Sequence, residues 1–211
     1  KDTLARTEGV GQTELDWWPH VTILALLGFG YEFLGNSQTA VDFYSRGLQV
    51  DPSNDALLAA RGILLYGTSP LAITDLEMAV RTGTSLVWPY VFLAHHNLLY
   101  GRFEECRRLC ERALNMNASA SVLSEVADWL AIAHAELGFP TELVRASFEN
   151  AIRLDPSNEQ AKRNLAVFAA AGVASTAKTW EKRSASGVRA MRVAERPFTL
   201  GIANRQLTTA A

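Results

Sequence analysis

Apolar residues recur at helical spacing from Val21 onward, and the recurrence is broken at regular intervals. Between Val21 and Leu34 the positions Leu24, Leu27 and Tyr31 fall three or four residues apart, as on one helix face. Gly35-Asn36 interrupts the run. From Thr39 to Val50, Ala40, Val41, Tyr44 and Leu48 again share a side. Asp51-Pro52-Ser53-Asn54 ends this second run, because Pro52 has no N–H with which to continue a helix. The pattern predicts a helix–turn–helix unit of 34 residues, Val21 to Asn54.

The rest of the chain copies this unit. A second copy runs from Asp55 to about Leu86, with Gly62 small in its first helix and Ala72, Leu76 and Ala79 marking its second. Ser69-Pro70 opens that second helix, with Ser69 as the expected N-cap. The third copy, Val87 to about Ala120, is marked by Tyr90, Leu93 and Ala94, then by Cys106, Cys110 and Ala113. A fourth, longer copy reaches Asn158 through Leu130, Ala131, Gly138, Phe148, Ala151 and Pro156. A second Asp-Pro-Ser-Asn, Asp155 to Asn158, lies 104 residues after the first, an interval of three slightly unequal repeats. Glu159 to Ala171 begins a fifth first helix.

On these residues the unit resembles a tetratricopeptide repeat. The marked positions of that family's pattern fall here on Leu24, Leu27, Gly28, Tyr31, Ala40, Tyr44, Gly47 and Pro52. Leu24 replaces the usual Trp and Gly47 the usual Ala. Small residues let two helices approach and large ones fill the gaps, so the types have a packing reason. The resemblance implies an all-α, right-handed superhelical solenoid of about ten antiparallel helices. It divides the chain into an N-terminal irregular segment and cap (1–20), a solenoid of four repeats plus a fifth first helix (21–171), and a basic C-terminal capping helix and tail (172–211). Pro19 is expected to open the first helix, and the pair Trp17-Trp18 to cover the apolar end of the first repeat. The capping helix is expected over Ala174 to Glu195, interrupted by Gly187 and ended before Pro197.

The resemblance also implies a function. Such solenoids bind extended or helical peptides in a groove lined by first helices. The inward-facing positions are Thr22, Ala25, Phe29 and Glu32; Ala56, Ala59 and Ile63; Trp88, Val91, His95 and Leu98; and Glu125, Asp128 and Ile132. One subclass grips a C-terminal carboxylate with Lys, Asn and Arg. Here Ala25, Phe29, Ala60, Trp88 and Phe92 stand at the places concerned, which disfavours that clamp. The candidate partner-binding groove is therefore Phe29, Glu32, Ile63, Trp88, Val91, His95, Leu98, Glu125 and Asp128, with Trp88 and Phe29 as anchors. It is apolar and aromatic with an acidic edge, and suits an apolar, preferably basic segment. Filling of these positions by the protein's own helices is the competing expectation.

Charge sharpens the picture. The 211-residue chain carries a formal net charge of −2. From Gly172 onward seven basic residues meet two acidic ones, a net +5, which leaves −7 on the body. The segment Phe198 to Leu207, apolar and flanked by Arg196 and Arg205, has the character of a groove ligand. Two functions follow: a peptide-binding adaptor or scaffold, or an assembly module whose groove is filled by its own or a neighbouring tail, the second allowing homo-oligomers. Nucleic acid is disfavoured because no basic stripe runs along the groove.

Chemistry adds little. No phosphate loop, nucleophile signature or metal motif is present, so neither an enzyme nor a cofactor is expected. Adjacent His95 and His96 point about 100° apart on a helix and would not chelate one ion. His134 takes a packing position. Cys106 and Cys110, four apart in one helix, are poorly placed for a disulfide and read as small core residues. The redox compartment stays open. Val21 to Leu34 is too short to span a bilayer and carries Glu32, so no membrane insertion is expected. The start at Lys1 suggests a processed or excised fragment. A soluble protein is expected; its compartment stays open, the cytoplasm being favoured over export by a signal missing from this fragment.

Overall fold

In a computed structural model the described residues are 20–171 and 180–194. Ten helices occupy them, with no strand among the described residues: α1 His20–Phe33, α2 Ser37–Val50, α3 Asp55–Leu65, α4 Leu71–Arg81, α5 Val87–Leu99, α6 Phe103–Leu114, α7 Ala120–Glu136, α8 Thr141–Leu154, α9 Glu159–Ala171 and α10 Ala185–Ala194. Helices α1 to α8 pair in sequence order, each pair packs on the next, and α9 follows α8. First helices also stack on first helices, α3 on α5, α5 on α7 and α7 on α9, so together they line one face. This is a solenoid of tetratricopeptide-type helix pairs.

The repeat signature has a direct steric cause. A Cβ at Gly28 would lie 2.3 Å from Cε1 of Tyr44, whose ring is fully buried between α1 and α2. Gly62 also stands too close to its partner helix for a side chain: a Cβ there would meet Leu76 Cγ at 2.9 Å. Ala79, Ala113 and Ala151, at the position that Gly47 holds in the first repeat, are completely buried, and so is Ala40, about two turns earlier in α2. The two Asp-Pro-Ser-Asn turns are the same joint built twice. Asp51 and Asp155 end a helix by returning their N–H to Gly47 and Ala151, and each carboxylate accepts from the serine two residues on. Asn54 and Asn158 then cap the next helix, accepting from Leu57 N–H at 3.2 Å and Ala161 N–H at 3.0 Å.

Local readings need small adjustments. Pro70, not Ser69, is the N-cap residue of α4; the Ser69 hydroxyl accepts from Leu71 N–H at 3.3 Å, one residue earlier than a cap would stand. Cys106 and Cys110 are free and fully buried, their Sγ atoms 3.9 Å apart. Trp17, Trp18 and Pro19 lie outside the described residues.

Candidate functional site

The face of the first helices is occupied by the chain itself. Residues 180–184 are non-helical, and α10 follows them along this face. Ser184 starts the helix: its hydroxyl accepts from Gly187 N–H at 3.1 Å, and its carbonyl accepts from Val188 N–H. The expectation of a capping helix over 174–195 is thereby corrected. Residues 174–179 and 195 lie outside the described residues, the helix begins only at Ala185, and the segment contacts α1, α5, α7, α8 and α9. The reason is charge and hydrogen bonding: the groove offers buried carboxylates and amides, and the segment offers arginines and free backbone.

At the α9 end, Trp180 is buried against Phe148, ring centroids 5.7 Å apart, and its indole N–H donates to the Glu136 carboxylate. Asn164, fully buried, accepts from Glu181 N–H at 2.8 Å and donates to Glu181 C=O at 3.1 Å. A residue whose N–H and C=O meet the same partner is extended, as in a strand pair. The Glu181 side chain turns out to Arg163, with one contact at 3.0 Å.

The next contact is ionic. Arg183 forks onto buried Glu125, Nε at 3.0 Å from Oε1 and Nη2 at 2.8 Å from Oε2. That hydrogen bonding raises the Arg183 pKa further. Gln160 donates to Glu125 at 3.0 Å and to Asp128 at 2.9 Å, and Asn164 donates to both Asp128 oxygens. Burial nonetheless pushes the Asp128 carboxyl up to about 7. His95 Nε2 lies 2.6 Å from the Arg183 carbonyl, which can only accept, so Nε2 carries the proton. Nδ1 then accepts from Tyr66 Oη at 2.7 Å. Burial lowers the His95 pKa, which favours this neutral form.

The α10 end is held differently. Gly67, at φ +78°, lets the helix start press in: a Cβ there would meet Ala185 Cβ at 2.9 Å. Val188 is fully buried. Arg189 donates to the Tyr66 carbonyl, and Arg192 donates to Glu32, whose other oxygen accepts from Tyr44 Oη at 2.8 Å. The Arg192 and Glu32 side chains are only 4% and 6% exposed. Arg192 Nε is buried with no hydrogen-bond partner among the described residues. It borders a small apolar recess lined with Phe29, Ala56, Ala59, Ala60, Ile63 and Trp88.

Of the residues expected to line a groove, Glu32, His95 and Glu125 therefore bind the segment by side chain, and Phe29, Ile63 and Trp88 line the same recess as Arg192. Leu98 contributes only its carbonyl, 3.5 Å from Lys182 Nζ, and Val91 is enclosed in the core. Asp128 faces Gln160 and Asn164 rather than a cation. Tyr66, Glu136, Gln160, Arg163 and Asn164 were not anticipated. The inward-facing register, carried one repeat further, points to Gln160 and Arg163. Nothing in the spacing marks Asn164 or the Tyr66 carbonyl. The expected groove ligand, Phe198 to Leu207, lies outside the described residues.

Among the described residues no group of three His, Cys, Asp or Glu side chains is placed to hold a metal ion, and no helix is long and apolar enough to cross a membrane.

Fold and occupied face define a helical-repeat solenoid of the tetratricopeptide type. By sequence the chain matches no family model and no curated protein. Among solved structures it resembles the crystal structure of MamA protein, with a TM-score of 0.58 and 19% sequence identity, over 89% of this chain and 94% of that one.

Proposed function

We propose that this protein is a non-enzymatic interaction module, an adaptor or scaffold, whose groove of first helices binds a peptide segment. One observation carries the reading: Trp180 to Arg192 lies along that groove with backbone held by Asn164 and His95 and arginines held by Glu125 and Glu32. Backbone contacts to an extended run, with side-chain pockets at intervals, are one recurring mode of peptide recognition. The fold alone names no partner, and it is the groove chemistry that selects an apolar, basic one.

The same occupancy favours a second reading, assembly through exchange of this segment between copies. Two measurements separate them. The full chain carrying Arg183→Ala and Arg192→Ala, its own segment loosened, should capture binders from a random peptide display library, and adding Glu32→Lys and Glu125→Lys should abolish capture. A library that yields no such binder defeats the adaptor reading. Light scattering over a range of concentrations should give one constant mass; a mass that rises and is reset by Arg183→Ala supports exchange instead.

A further inference from the structure

Resting on that reading, the geometry points to the chemical class of the external partner: a segment with an aromatic residue, an arginine three residues later in an extended run, and a second arginine nine residues further along a short helix. It binds by displacing this chain's own copy of that arrangement.

Each element of the description answers a fixed feature of the groove. The aromatic fits the Trp180 site, where Phe148 supplies a ring face and Glu136 an acceptor for an N–H. Extension is imposed by Asn164, which binds N–H and C=O of one residue, and by His95, which donates to a carbonyl two residues on. Arginine rather than lysine is required at Glu125, because both carboxylate oxygens are engaged by two nitrogens of one planar fork. The second arginine must reach Glu32, which Tyr44 fixes on α1. The span between Glu125 on α7 and Glu32 on α1 is set by the solenoid, so the interval between the arginines is set too. Small residues are needed where the helix starts: a Cβ on Gly187 would lie 2.7 Å from Arg183 Cγ.

The chain's own segment fits this grammar incompletely, which leaves room for a competitor. Arg192, which lines the recess with Phe29, Ile63 and Trp88, has its Nε buried with no partner among the described residues. An unsatisfied buried donor weakens the docked state. A partner whose own second arginine finds an acceptor for that nitrogen, or that fills the recess with a neighbouring apolar side chain, binds the same groove better. The −7 charge of the body against a basic segment favours encounter.

The test uses the full chain and synthetic peptides followed by fluorescence anisotropy. A labelled peptide of residues 180–194 should bind the Arg183→Ala, Arg192→Ala chain at least tenfold more tightly than the wild-type chain. A peptide with one residue inserted between positions 184 and 185, or with both arginines replaced by lysine, should bind at least fivefold more weakly. Glu125→Gln in the chain should remove that preference. If the native, respaced and lysine peptides bind alike, the groove is still a peptide site but the proposed motif is wrong. If no peptide binds, motif and groove reading fall together. If the variant chain self-associates and peptide does not dissociate it, the occupant is a second copy and the proposal fails. Should the double variant lose its helical circular dichroism, the wild-type chain carries the same comparison, with displacement read as faster tryptic cleavage after Arg183.

Discussion

Asn164 clasps both backbone polar groups of Glu181, its side-chain oxygen 2.8 Å from the N–H and its side-chain nitrogen 3.1 Å from the C=O. The same nitrogen spends its other hydrogen on Asp128, whose oxygens lie 3.1 and 2.9 Å away. One buried amide thus joins the solenoid's polar interior to the backbone of the docked segment. The contact reads conformation, not side-chain identity.

Asn164→Ala should therefore free the segment before it unfolds the solenoid. Two backbone groups lose their partner, a loss of about 1–3 kcal/mol. Tryptic cleavage after Lys182 and Arg183 is expected to accelerate roughly tenfold while helical circular dichroism is kept. Unchanged cleavage would mean that the clasp does not hold the segment.

The fork between Arg183 and Glu125 should show as coupling. Glu125 is almost fully buried, whereas the Arg183 side chain keeps 38% of its exposure, so solvent screens part of the attraction. A double-mutant cycle of Arg183→Ala and Glu125→Gln is expected to give a coupling of about 1–2 kcal/mol in urea unfolding. A value within error of zero would assign the pair no role.

Asp128 makes stability depend on pH. Its folded pKa, pushed up by burial to about 7, stands above the ordinary 3.8, so the folded protein holds a proton that the unfolded chain releases. Its contribution is complete below pH 3.8 and is lost as pH rises through about 7. His95 acts the other way. Its folded pKa lies below 6.5, so stability falls as pH drops under that value. Comparing wild type with Asp128→Asn cancels His95. The stability difference between the two proteins should shift by roughly 3 kcal/mol between pH 5 and 8, wild type being relatively better at pH 5. Thermal unfolding at several pH values reads this directly, and a difference that stays flat with pH refutes it.

Gly28→Ala should disturb fold and site together. The added Cβ would lie 2.3 Å from the Tyr44 ring, and Tyr44 cannot retreat without leaving Glu32. Overpacking of this kind destabilises by about 1–3 kcal/mol. Urea unfolding should show it, together with faster tryptic cleavage after Arg192, because Tyr44 orients the carboxylate that holds that arginine. An unchanged midpoint would place the helix contact elsewhere.

Much of the architecture was already legible in the chain. Periodicity located the helices, as Val21–Leu34 against the observed His20–Phe33 shows. Gly28, Ala40 and Tyr44 announced close helix pairs, and Asp-Pro-Ser-Asn announced the joints. These features are local: a helix face, a cap and a turn are decided within a few residues. The same register put Glu32 and Glu125 on the helix side that the segment now covers, since it only asks which side of a helix a residue occupies.

What covers that face was decided by the tertiary structure. The apolar positions Trp180, Val188 and Met191 suit an end cap and a groove ligand equally, because an apolar position states that it is buried and not against what. Contacts between residues as distant in sequence as Glu32 and Arg192 depend on how the repeats stack. So does the span between Glu125 and Glu32, which sets the interval between the arginines. The backbone groups that hold the segment, such as the Tyr66 carbonyl taking Arg189, leave no trace in the sequence at all, because every residue carries a carbonyl and only the fold leaves this one free to accept.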